Sequence, residues 1–154
     1  MAKTLEELVD DDRITVVGLL AEANAALGCH FERELSGVGL PLSWFEVLVR
    51  LGRTPGGRLR MSDLAHAVAL TTSGTTRLVD RIEAAGLIER QSCATDRRVA
   101  YAALTEAGRK VLKRAAPVHV ESIQRHVIDT LSADEVRDLE RLLRKLRDAN
   151  QQSA

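Results

Sequence analysis

From Ile14 onward, apolar side chains return every third or fourth position or a multiple of it, at Ile14, Val17, Ala21, Leu27, Phe31 and Leu35. That period predicts one long amphipathic helix, closed near Ser36 by Gly37, Gly39 and Pro41. A second helix over residues 43–51 carries Trp44, Val47, Leu48 and Leu51 on one side and stops at Gly52, and residues 53–58, with Pro55, Gly56 and Gly57, read as a flexible turn. Ser62 stands as an N-cap ahead of Leu64, Ala65 and Val68. Thr71 or Thr72 restarts a helix directly after Leu70, so two helices are separated by a very short turn. On the second of them Leu78, Val79, Ile82 and Ala85 point inward, while Ser73, Thr76, Arg77 and Asp80 share another face.

The pattern then changes. Residues 87–90 and 99–104 read as two short strands joined by the polar stretch 91–98, a hairpin with arginines at its tip. Thr105 caps a further helix that Pro117 kinks or restarts, and Ser132 with Glu135 forms a capping box for a last helix over residues 133–150. Val136, Leu139, Leu142, Leu143 and Leu146 stripe that helix. The predicted fold is mostly α (α+β): residues 1–154 form a single domain, with a winged helix-turn-helix over 53–104 and a two-stranded β-wing. Helices over 5–40 and 105–150 flank it. Their apolar stripes lie outside the helix-turn-helix unit, so they are expected to pair with each other and with a second copy, making a homodimer.

The chain is 45% hydrophobic but only 3% aromatic, which suits aliphatic helix packing and argues against an aromatic-lined cofactor site. No cofactor is predicted. Formal net charge is zero, yet residues 1–52 hold four basic against nine acidic side chains and residues 53–101 hold eight against five. The positive centre suits a polyanion at that segment alone. Cys29 and Cys93 fit no disulfide framework or finger spacing. With no basic leader and no run of eighteen apolar residues, a soluble cytoplasmic protein with no membrane partner is expected. No GxSxG, HExxH, P-loop or Rossmann fingerprint is present, so no enzyme is predicted.

The helix opening Thr71-Thr72-Ser73-Gly74-Thr75-Thr76-Arg77 offers the short polar side chains and arginine that read base edges in a major groove, and its N-terminal amides favour phosphate. Asp96-Arg97-Arg98 at the hairpin tip can bring a guanidinium into a narrow minor groove. Arg58, Arg60 and Ser62, ahead of this helix pair, are counted with them, the two arginines as phosphate contacts. Double-stranded DNA is the expected partner. His66 reads as exposed.

Residues 76–83 leading to Gly86-Leu87-Ile88-Glu89-Arg90, then Asp96-Arg97-Arg98, then Leu104-Thr105-Glu106-Ala107-Gly108, carry a resemblance. In order and spacing the chain resembles the multiple-antibiotic-resistance regulator (MarR) family of bacterial transcription factors, over nearly its whole length. The resemblance implies a homodimeric regulator, commonly a repressor, reading a pseudo-palindromic operator, with Ser73, Thr76, Arg77 and Arg81 facing DNA and Arg97 or Arg98 in the wing. Thr75 replaces an apolar residue expected there. The resemblance also implies a small-molecule, oxidant or metal effector between the dimerisation and DNA-binding lobes, which makes Cys29, His30, Trp44 and His119 candidates. Trp44 reads as packing, and Cys29 and His30, adjacent on a helix, point about 100° apart and do not easily share one ion. The alternatives are a zinc-responsive member of the same family and a winged-helix protein-interaction module without DNA binding.

Overall fold

In the computed structural model, which describes residues 4–5, 9–68, 72–92 and 99–151, the first apolar period becomes α1 (Asp12–Ser36). Asp11 caps it, accepting a hydrogen bond from the Arg13 amide at 3.0 Å. Leu35 is its one buried residue, and Ile14, Val16, Val17, Leu19 and Leu20 are exposed. By length and composition α1 is long and apolar enough to cross a membrane, although it holds no run of eighteen consecutive apolar residues. A helix that packs on another chain gives the same signal. α2 (Leu42–Gly52) follows, its first amide donating to the Glu32 carboxylate of α1 at 3.0 Å.

Residues 53–58 are more ordered than a flexible turn. A short 3-10 turn, Pro55–Gly57, leads into β1 (Arg58–Arg60), and α3 (Met61–Ala67) starts directly behind it. Arg60, with extended backbone, is therefore the N-cap of α3. Ser62 lies inside the first turn and donates to the Asp63 carboxylate at 3.2 Å. α4 (Thr72–Ala84) completes the helix pair, and Gly86, at φ +73, turns the chain toward β2 (Ile88–Ser92). Ala85 falls just beyond α4 and is exposed, not inward.

The sheet is antiparallel, ordered β1-β3-β2 with β3 (Ala100–Leu104) central, so the two-stranded wing of the sequence reading gains a third strand. In register, Arg60 lies opposite Tyr101 and Tyr101 opposite Gln91. Thr105 caps α5 (Glu106–His126): its hydroxyl accepts from the Gly108 amide at 3.0 Å and donates to the Gly86 carbonyl at 2.8 Å. α5 runs unbroken through Pro117, because one missing amide is offset by packing against α1 and α2. A 3-10 turn, Ile128–Thr130, leads to the Ser132–Glu135 capping box and α6 (Ala133–Gln151).

One core joins these elements: Leu35, Leu48, Leu51, Leu64, Val79, Ile82 and Ile88 are fully buried together. Each such side chain contributes about 1.5–3 kcal/mol. α6 adds none to it; Leu139, Leu142, Leu143 and Leu146 all stand exposed.

Candidate nucleic-acid interface

α4 has two faces fixed by its helical period. Thr75, Leu78, Val79 and Ile82 are buried where α4 packs on α3 and β2, which leaves Ser73, Thr76, Arg77, Asp80 and Arg81 exposed together. Thr75 is 1% exposed. It cannot reach DNA in this arrangement, which corrects its place among the contact candidates. Its hydroxyl occupies a core position and has no hydrogen-bond partner among the described residues. Arg81 leans back toward α2, its guanidinium 6.0 Å from the centre of the Trp44 ring.

A second constraint holds α4 against the wing. Arg90 of β2 points toward α4 and pairs with Asp80 at 2.6 Å and Glu83 at 2.8 Å, while its own amide donates to Glu83 at 2.8 Å. Asp80 and Glu83, three apart, present their carboxylates on one helix face to a single guanidinium. The reading face and the wing are therefore fixed relative to each other by a side-chain clamp as well as by the core. On the opposite sheet face, Arg58 stacks 5.0 Å above the Tyr101 ring, and Arg60 donates to the Tyr101 hydroxyl at 3.4 Å. Thr71 and the wing residues Asp96, Arg97 and Arg98 lie outside the described residues, and Thr72 is placed only as the first residue of α4.

Behind this surface α1, α2 and α5 enclose an open-mouthed cleft of about 620 Å³. Its walls include Leu27, Phe31, Leu112 and Val120, with Glu46, Arg50, Arg53 and His119 as polar members. His119 packs between Phe31 and Phe45, at 4.7 and 4.6 Å between ring centres, and its Nδ1 is buried without a partner among the described residues. Burial lowers its pKa, against a smaller opposite pull from Glu34. Partial burial raises the Glu46 pKa, with Arg50 acting the other way. Nearby, Glu34 of α1 binds His126 at 3.1 Å and Arg125 at 3.0 Å, tying α1 to α5. Desolvation raises the Glu34 pKa, but the hydrogen bond from His126 and the Arg125 charge outweigh it and the net shift is downward.

The family model described as MarR family matches residues 38–99. The HTH-type transcriptional repressor Rv2887 of Mycobacterium tuberculosis is 32% identical over 128 residues, covering 83% of this chain and 90% of that protein. The crystal structure of AbsC, a MarR family transcriptional regulator from Streptomyces coelicolor, superposes with a TM-score of 0.82 at 32% identity, over 98% of both chains. This chain belongs to the MarR family. A second MarR regulator of S. coelicolor, Sco3205, solved in complex with DNA, gives a TM-score of 0.81 at 32% identity, over 97% of this chain and 91% of that one.

In this MarR chain the structure gathers some predicted residues and separates others. Ser73, Thr76, Arg77 and Arg81 share the exposed side of α4, and Arg58 and Arg60 share one face of β1. His66 is exposed. Of the four effector candidates, His119 alone lines the cleft. Cys29 is exposed, and His30 stacks on His126 with ring centres 4.0 Å apart. Trp44 is half-buried, with its indole N–H lacking a partner among the described residues. Among the described residues no group of three or more His, Cys, Asp or Glu is placed to hold a metal ion. Sequence reasoning missed the Arg90 clamp and the Tyr101 contacts. Arg90 shares strand parity with inward Ile88, a signal that was available.

Proposed function

We propose that this MarR protein is a homodimeric transcriptional repressor of the cytoplasm that binds a pseudo-palindromic operator and releases it when a small molecule occupies the cleft. The observation that carries DNA recognition is the exposed Ser73, Thr76, Arg77 and Arg81 face of α4, backed by a buried face and held by Arg90. Arginine there can pair with a guanine edge, and hydroxyls with any base. Removing such a bidentate contact costs about 1–3 kcal/mol on the preferred sequence, whereas removing a phosphate contact weakens all sequences alike.

Dimerisation rests on the apolar residues of α1 and α6, which are exposed in the single chain. Patches of that extent mark surfaces that another chain covers, and a second copy brings the same two helices. A ligand in the cleft would touch α1 and α5 on one side and α2 on the other, so it can favour one spacing of the two reading heads. The function is binding and carries no catalytic step.

The test is fluorescence anisotropy on a labelled mixed-sequence duplex at several salt concentrations, with mass in solution measured in parallel. A dimer whose affinity falls steeply with salt is expected. A monomer without salt-dependent binding contradicts the proposal and favours a protein-interaction module.

A further inference from the structure

Arg58 and Arg60, two apart on β1, project to the face of the sheet away from the core, where Leu59 and Ala102 lie on the other side. Guanidiniums on flexible stems cost conformational entropy when they are fixed on a polyanion, unless something holds them beforehand. Here one ring holds both. Tyr101, on the central strand, lies directly opposite Arg60 in register, takes the Arg58 guanidinium over its face at 5.0 Å and accepts from the Arg60 Nε at 3.4 Å. A third arginine, Arg109 of α5, lies against Gly57 immediately before Arg58; a Cβ at Gly57 would meet its Nη2 at 2.5 Å. Glu89, on this sheet face among the described residues, sits on the far strand and accepts from the Gln91 side-chain amide at 2.7 Å. The row Arg60, Tyr101, Gln91 also crosses all three strands at the end leading into residues 93–98.

We propose that Tyr101 is a positioning residue that presents Arg58 and Arg60 to the DNA backbone beside the wing, as a prearranged phosphate clamp separate from the reading face of α4. The proposal rests on the DNA-binding reading above. It assigns the phenol two jobs that substitution can separate: the ring holds Arg58 and the hydroxyl holds Arg60.

The experiment measures anisotropy on a labelled mixed-sequence duplex across a salt series, for the full chain and its variants, with circular dichroism and melting to verify the fold. Tyr101→Ala is expected to weaken binding roughly three- to tenfold at low salt, the range expected from losing a cation–π contact and preorganisation. It should also lower the steepness of the log–log salt plot by about one to two units, since each phosphate contact contributes about 0.9. Tyr101→Phe should fall between, keeping the Arg58 stack. In a background carrying Arg58→Ala and Arg60→Ala, Tyr101→Ala should change nothing further. A wild-type salt slope in Tyr101→Ala, or an equal loss in the background without the two arginines, overturns the proposal, since the ring then only supports the sheet. If wild type binds with steep salt dependence and Arg77→Ala weakens it on a selected sequence while Tyr101→Ala behaves as wild type, the clamp alone fails. If wild type binds no duplex, the DNA-binding reading fails and takes the clamp with it.

Discussion

Thr75→Val should make this protein more stable. The Thr75 side chain is 1% exposed on the inward face of α4, and its hydroxyl has no hydrogen-bond partner among the described residues. A buried unsatisfied hydroxyl costs about 1–3 kcal/mol. Valine has the same shape, opens no cavity and has nearly the same helix propensity as threonine. Allowing for some relaxation around the native hydroxyl, a gain of about 1–2 kcal/mol is expected, and for a chain of this size that raises Tm by about 2–8 °C. Thermal unfolding at fixed protein concentration reads it, with Thr75→Ala as the companion that removes the hydroxyl but leaves a gap and so gains less. DNA affinity should be unchanged, because the side chain lies on the buried face of α4 with Leu78 and Val79 rather than in solvent. An unchanged or lower Tm would refute the reasoning about the hydroxyl. A large fall in affinity at unchanged Tm would refute the inward orientation.

Three further outcomes follow from the same geometry. Gly108→Ala should destabilise by about 3 kcal/mol or more in chemical denaturation, since overpacking against backbone has no cheap relaxation; a Cβ there would lie 2.0 Å from the Leu87 carbonyl oxygen. Arg90→Ala should cost about 1 kcal/mol of stability, as a partly exposed ion pair does. It should also weaken DNA binding about tenfold without flattening the salt slope, because the clamp to Asp80 and Glu83 orients α4 rather than touching phosphate. For His119, burial holds the folded pKa below the unfolded value near 6.5, so the unfolded chain takes up a proton first as pH falls. Its contribution is complete above pH 6.5 and is lost as pH drops toward the folded value; His119→Phe should flatten that part of a stability–pH curve.

The helices were legible because caps and apolar periods are local: Thr105, Ser132 with Glu135, and the stripe through Leu78, Val79 and Ile82 each announce themselves within a few residues. Thr75 carries two opposed signals: its polar side chain points to solvent, but its spacing from Leu78, Val79 and Ile82 puts it on the buried face, and position decides. β1 was not legible: three residues between glycines and a helix carry too little alternation, and the strand exists by pairing with β3 some forty positions away. Tyr101 acts through an equally distant partner, Arg60, and Arg90 through Asp80 and Glu83 on the preceding helix, contacts that only the packing of strand on helix creates. The chemistry of Cys29 and His30 suits an effector, but helix face decides what lines the cleft, and it takes Phe31, Glu46 and Arg50 instead.

Selection of bound sequences from a random duplex library tests the central claim most directly. The account predicts enrichment of a pseudo-palindrome whose half-sites lie about one helical turn apart, bound by two chains, with enrichment lost in Arg77→Ala. Recovery of no preferred sequence by a correctly folded dimer would contradict it.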